Sequence, residues 1–120
     1  MHSPVIAAVM VHVSHPAAAL DWYQRAFPRS KRVKVDGYDF EYLQIGDVRI
    51  EIVKADEKVS SGASGTVVYW HVENVASSVT TLEMLGAKLY RGPMNIESSE
   101  VMCQLKDPWG NCIGLRGPSK

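Results

Sequence analysis

Apolar positions recur along this chain with two periods, and the change from one period to the other marks the predicted elements. In the first half the pattern predicts a strand over 6–13, a helix from Pro16 until Pro28, a basic polar loop over 29–36, and strands over 40–45 and 48–53. In the second half it predicts a strand over 66–72, a helix over 76–85, a short strand over 88–90 before a turn at 92 and 93, and strands over 101–105 and 112–115. Each half is therefore a strand and a helix followed by two or three antiparallel strands.

The two halves also share sequence. The segment Val11-His12-Val13 corresponds to Trp70-His71-Val72, and the two histidines lie 59 positions apart in a chain of 120 residues. A period of this length is too long for a solenoid repeat and too short for two ordinary domains. The sequence therefore predicts a single domain over 1–120, with a first module over about 1–56, a linker over about 57–65 and a second module over about 66–120.

Composition and charge narrow the classes of function. The chain has 13 basic and 13 acidic residues, and 46% of its residues are hydrophobic, as in an ordinary globular protein. This balance gives no general attraction to nucleic acid or to an acidic membrane, and the basic cluster over 29–34 lacks the interleaved aromatic residues of a nucleic-acid site. The amino-terminal segment has no basic region, and His12 interrupts its apolar run, so we expect neither a signal peptide nor a membrane span and assign the protein to the cytoplasm.

Several motifs resemble those of the vicinal oxygen chelate superfamily, which includes glyoxalase I, extradiol dioxygenases, fosfomycin-modifying enzymes and bleomycin-resistance proteins. The motifs are Leu20-Asp21-Trp22-Tyr23 in the first helix, Ile50-Glu51-Ile52 at the end of a hairpin, and Asp107-Pro108-Trp109-Gly110-Asn111 before Ile113-Gly114-Leu115. The resemblance covers nearly the whole chain. It implies an α+β fold of two tandem βαβββ modules whose curved mixed sheets enclose a cleft, often completed by dimerisation.

The resemblance also implies four cleft-facing positions that hold a divalent ion in the metal-dependent members. In this chain the four positions fall on Ala8, Glu51, Val67 and Gly114. Only Glu51 carries a ligand atom, whereas an ion that keeps a position open for chemistry needs at least three protein ligands. We therefore expect no metal ion and no other cofactor.

The alternation of side chains along strands predicts which residues face the cleft. The candidate ligand-binding residues are Met10, His12, Arg49, Glu51, Tyr69, His71 and Trp109. Glu51 is also the candidate catalytic residue, as a general base or a metal ligand. Simpler roles remain open for three of these residues, since Glu51 can pair with Arg49 on the same strand face, and each histidine can cap the helix that follows it.

These observations predict a metal-free protein, similar to the bleomycin-resistance proteins, that binds a small organic ligand in the cleft of a homodimer. A dimer is expected because small modules leave sheet edges uncovered. The alternative is a metal-dependent lyase, isomerase or dioxygenase with a relocated metal site of His12, His71 and Glu51. Each histidine lies four residues beyond the implied ligand position in its strand. Such a relocated site would therefore be displaced by about 13 Å along the strand.

Overall fold

The computed structural model describes residues 5–118. The chain divides into two compact units, Met1–Ser61 and Gly62–Lys120. The boundary between the units lies inside the segment 57–65 that the sequence assigned to a linker.

Each unit contains a four-stranded mixed sheet and one helix within the described residues. The first unit consists of β1 (Ala8–Val13), α1 (Pro16–Ala26), β2 (Lys31–Lys34), β3 (Glu41–Ile45) and β4 (Val48–Lys54). The second consists of β5 (Val68–His71), α2 (Val75–Met84), β6 (Lys88–Asn95), β7 (Val101–Lys106) and β8 (Cys112–Gly117). The strand orders are β1-β4-β3-β2 and β5-β8-β7-β6, and β1 is parallel to β4 as β5 is to β8. The predicted α+β fold of two tandem βαβββ modules is confirmed.

The two helices begin at equivalent places in the repeat. α1 begins at Pro16 and α2 at Val75, which lies 59 positions later. Proline suits a first helical turn because backbone N–H groups in that turn have no partner within the helix, so the N–H that proline lacks is not missed. Asn74 precedes α2, and its side chain accepts the backbone N–H of Ser77 at 2.9 Å, which stabilises the helix by about 1 kcal/mol. Neither helix within residues 5–118 is both long and apolar enough to cross a membrane.

Each sheet buries one face against its own helix. The buried apolar residues of the first unit include Val13, Ala19, Leu20, Trp22, Tyr23, Leu43, Ile50 and Ile52, and those of the second include Val75, Leu82, Cys103, Leu105, Ile113 and Leu115. Full burial of one such large side chain contributes about 1.5–3 kcal/mol. Because strand side chains alternate, the residues between the core positions lie on the opposite side of each sheet, which we call the open face.

The basic segment over 29–36 was predicted to be a loop, and this prediction was wrong for residues 31–34. Residues Lys31–Lys34 form β2, an edge strand that pairs antiparallel with β3. Arg32 in this strand lies 2.6 Å from Asp21 and 3.3 Å from Glu41, so its charge is compensated within the unit. Charged side chains are common on edge strands, where they oppose pairing with other chains.

The prediction of a turn at 92 and 93 was also wrong. β6 continues through Gly92 and Pro93, and its pairing with β7 shifts register on either side of Arg91. Gly92 has a φ of 77°, and a Cβ at this position would lie 2.8 Å from the carbonyl oxygen of Met102, so the bulge requires glycine. Proline is tolerated here because β6 is an edge strand.

Candidate functional site

The open face of the first sheet brings four of the candidate residues together. In the parallel pairing of β1 with β4, Met10 is the register partner of Glu51, and His12 is the partner of Val53. Arg49 precedes Glu51 by two residues and shares its face. Met10 is 52% exposed, whereas Glu51 and His12 are partly buried.

Arg49 and Glu51 form an ion pair on this face. Arg49 Nε lies 3.0 Å from Glu51 Oε2, although the buried Nε–H makes no aligned hydrogen bond. The guanidinium carbon of Arg49 lies 3.7 Å from the centroid of the Tyr42 ring, a cation–π contact that contributes about 0.5–1 kcal/mol at such sites. The simpler role that the sequence left open for Glu51, a pair with Arg49, is the arrangement in the structure. The charges at the centre of the first open face are therefore compensated.

The open face of the second sheet is organised around a row of residues that crosses all four strands. Arg91 on β6 is the register partner of Gln104 on β7, which pairs with Gly114 on β8, which pairs with Tyr69 on β5. Neighbouring strands are about 4.8 Å apart, so side chains in one row can contact each other.

The ring of Tyr69 lies directly over Gly114. A Cβ built on Gly114 would be 2.5 Å from the nearest ring carbon, so any other residue at position 114 would displace the ring. The hydroxyl oxygen of Tyr69 accepts a hydrogen bond of 2.7 Å from Gln104 Nε2. The missing side chain of Gly114 therefore provides the space in which Tyr69 is held.

Cys112 extends this hydrogen-bonded row. Its Sγ donates to Gln104 Oε1 at 3.5 Å, which fixes the orientation of the Gln104 amide. Burial raises the pKa of the Cys112 thiol, and the positive charges of Lys106 and Arg91 oppose that effect. A thiol with a raised pKa is a hydrogen-bond donor rather than a nucleophile. Cys112, Gln104 and Tyr69 thus form a chain of donors and acceptors.

The two remaining candidate residues lie outside this row. His71 is exposed at the end of β5, where it is the register partner of Arg116. Trp109 lies in the turn between β7 and β8, and its backbone N–H donates to Asp107 Oδ1 at 2.8 Å. The structure therefore places Tyr69, but neither His71 nor Trp109, in the central row of the second open face.

The donor set does not fit the divalent ion that the family resemblance implies. Ala8 and Val67 carry hydrocarbon side chains, and Gly114 is covered by a tyrosine ring. Among residues 5–118, no three His, Cys, Asp or Glu side chains form a group that could hold a metal ion. The expected absence of a metal ion stays a prediction about the protein in solution.

Sequence reasoning missed two residues that organise these faces, Tyr42 and Gln104. Tyr42 lies two residues before Gln44, the register partner of Arg49, so strand alternation would have placed its ring on the first open face. Gln104 is a polar residue between the buried Cys103 and Leu105, and that alternation signals a side chain directed away from the core. Its two hydrogen bonds depend on cross-strand register, which the sequence does not specify.

Known proteins resemble this chain over almost all of its length. The sequence profile of the Glyoxalase/Bleomycin resistance protein/Dioxygenase superfamily matches residues 5–115. A crystal structure of an enzyme of that family from Burkholderia phytofirmans PsJN is 18% identical, covers 92% of this chain and 96% of its own, and has a TM-score of 0.76. A superfamily member from Sphaerobacter thermophilus DSM 20745 is 16% identical, covers 96% of this chain and 98% of its own, and has a TM-score of 0.75. At such identities these structures show the fold alone, and no curated protein matches the chain.

Proposed function

This chain belongs to the glyoxalase/bleomycin resistance protein/dioxygenase superfamily, and we propose that it binds a small organic ligand on its open sheet faces without a divalent metal ion. The observation that carries the proposal is the Tyr69 ring over Gly114. At a position where the resemblance implies a metal ligand, the chain has no side chain, and an aromatic ring fills the space.

The polar side chains beside that ring suit the direct binding of an organic molecule, since Tyr69 and Gln104 present a hydroxyl and an amide on the second open face. The first open face, described by itself, presents the exposed, adaptable apolar side chain of Met10. Sites for small molecules are typically apolar or aromatic surfaces with a few well-placed polar groups. On the first open face, Glu51 is the ion-pair partner of Arg49, whose guanidinium carbon lies 3.7 Å from the centroid of the Tyr42 ring.

Metal content tests the first half of the proposal. Protein purified without chelators should contain substoichiometric Zn, Mn, Fe and Ni by mass spectrometry, because the implied positions offer one ligand rather than three. The matched variant is Glu51→Gln, which should leave the metal content unchanged. An ion bound stoichiometrically in the wild type and lost in Glu51→Gln would instead support the metal-dependent enzyme.

Ligand binding tests the second half. Tryptophan fluorescence should change saturably with at least one member of a panel of uncharged, cationic and anionic aromatic compounds, since Trp70 adjoins Tyr69 on β5. The compound that binds should bind more weakly to Tyr69→Ala, which removes the ring, than to Met84→Ala, which alters an exposed residue of α2. A flat response to every compound would contradict the proposal.

We also propose that the chain forms a homodimer through the edge strand β6. All eight residues of β6 are exposed, and three of them are large and apolar: Leu89, Tyr90 and Met94. An exposed edge strand with apolar side chains tends to pair with another chain. Sedimentation equilibrium should show a dimer that Met94→Lys weakens and Met84→Lys, a control on α2, does not. A monomer at every concentration would contradict this assembly.

A further inference from the structure

Three positive charges lie together at one end of the second open face. Lys88 on β6 and Lys106 on β7 are register partners, and Arg91 is the register partner of Gln104 on the same two strands. We call Lys88, Arg91 and Lys106 the cationic patch. Like charges on directly opposed residues of neighbouring strands are destabilising, so this arrangement opposes folding unless a negative group compensates it.

The protein does not supply that negative group within residues 5–118. None of the three cations forms an ion pair there, whereas Arg32, Arg49 and Arg116 all do. Lys106 Nζ instead lies 4.5 Å from the centroid of the exposed Tyr90 ring, which holds the ammonium group in place.

The carboxylate of Asp107 is close in sequence but committed to another role. Asp107 is 4% exposed, and its Oδ1 accepts the backbone N–H groups of Trp109 and Asn111 at 2.8 and 2.9 Å. These bonds build the turn between β7 and β8, so this carboxylate serves the turn rather than the cationic patch.

The patch and the hydrogen-bonded row lie on the same side of the sheet. The charges of both Lys106 and Arg91 act on the Cys112 thiol, where they partly oppose the effect of burial, which raises its pKa. Cys112 donates to Gln104, and Gln104 donates to the hydroxyl oxygen of Tyr69. At the end of this chain the Tyr69 O–H has no protein acceptor within the described residues. A donor left without an acceptor is costly when it is partly buried.

We propose that the cationic patch and the Tyr69 hydroxyl together bind an oxyanion group, a carboxylate or a phosphoryl group, of a small ligand. The planar guanidinium of Arg91 can contact two oxygens at once, Lys88 and Lys106 add positive charge, and Tyr69 donates its proton to a further oxygen. Three cations favour a multiply charged anion over a singly charged one. The inference deepens the proposed function, because it assigns the chemical class of one group of the ligand.

The test uses inorganic phosphate and citrate as probes at constant ionic strength, with binding followed by amide chemical shifts of the wild-type chain. The Gln104 side-chain amide and the backbone of β6 to β8 should shift saturably at concentrations up to about 10 mM. Lys106→Gln and Arg91→Gln should each weaken binding roughly tenfold, the usual effect of losing a charged hydrogen bond. Lys58→Gln makes the same change of charge at an exposed residue of the first unit and should have no effect.

A second variant separates a specific site from general attraction between charges. Tyr69→Phe keeps the ring over Gly114 and removes the hydroxyl, which is the donor to the anion and also the acceptor for Gln104, so it should weaken binding about three- to tenfold without moving the core resonances. Absence of saturable shifts would overturn the inference, as would equal losses in Lys58→Gln and Lys106→Gln. Neither of these two outcomes affects the tryptophan fluorescence response to uncharged and cationic compounds that tests the proposed function. A failure of this inference is therefore distinguishable from a failure of the proposed function.

Discussion

Replacing Gly114 with alanine should displace the Tyr69 ring and destabilise the second unit. The added Cβ would lie 2.5 Å from Cδ1 and 2.6 Å from Cγ of that ring, well inside the normal carbon–carbon separation of about 3.5–4.0 Å. Gly114 does not have a positive φ, so alanine meets no backbone strain and the whole effect comes from the ring.

The magnitude follows from three terms. Overpacking of a well-filled site costs about 1–3 kcal/mol. Loss of the Gln104–Tyr69 hydrogen bond adds about 1 kcal/mol to this cost. Alanine loses less backbone entropy on folding than glycine, which offsets about 0.5–1 kcal/mol of the destabilisation. The free energy of unfolding should therefore fall by about 1–3 kcal/mol. Gly62→Ala is the matched control, because a Cβ at Gly62 would meet no atom within 4 Å.

Urea denaturation of a double-mutant cycle measures this coupling. In a Tyr69→Ala background the clash is gone, so Gly114→Ala should become neutral or slightly stabilising. A Gly114→Ala variant as stable as the wild type with Tyr69 present would refute the placement of the ring. The same result would remove the main support for metal-free binding.

Three further predictions concern stability. Asn74→Ala should lower the free energy of unfolding by about 1 kcal/mol in urea denaturation, because it removes the side-chain cap of α2. Arg49→Met should lower it by about 1–2 kcal/mol, since it removes the contact with Tyr42 and leaves the partly buried Glu51 unpaired, whereas Glu51→Gln should have a smaller effect. Because burial raises the pKa of Cys112 in the folded chain, an unfolded thiol ionises first, so stability should fall as the pH rises above about 8.5, and less steeply in Cys112→Ser. Unfolding curves that coincide from pH 8 to 10 would contradict the last prediction.

The parts of the fold that the sequence predicted are those with local causes. Apolar residues at helical spacing, with Pro16 at the start of α1, predicted both helices, and the start of α2 differs by one residue from the predicted 76 because Asn74 caps it. β2 and the second part of β6 lack a strand pattern of their own, because β2 is rich in charge and β6 contains Gly92 and Pro93 after the short strand predicted over 88–90. These segments are strands because β3 pairs with β2 and β7 pairs with β6. Pairing with another part of the chain is not visible in the periodicity of side chains within the segment itself.

The candidate site divides in the same way. Alternation correctly put Met10 on the same face as Glu51, because that relation needs only strand parity and the pairing of β1 with β4. The contact of Tyr69 with Gly114 needs the register of β5 against β8 as well. Glu51 and Gly114 occupy the implied ligand positions of the two closing strands, but they are 63 positions apart, whereas His12 and His71 are 59 apart. The repeat spacing alone therefore does not align the closing strands.

The two modules share a topology but differ in how they balance charge on their open faces. In the first module, Arg49 contacts the Tyr42 ring and forms an ion pair with Glu51, so its positive charge is compensated by a carboxylate of the same face. In the second, Lys106 lies against the Tyr90 ring and forms no ion pair within residues 5–118, and the Tyr69 O–H has no protein acceptor there. Uncompensated like charges persist in a folded sheet at an energetic cost, and a ligand that binds the folded state alone offsets that cost by its binding free energy. Phosphate or citrate should therefore raise the melting temperature of the wild-type chain more than that of Lys106→Gln, and equal shifts in the two proteins would mean that the anion acts elsewhere.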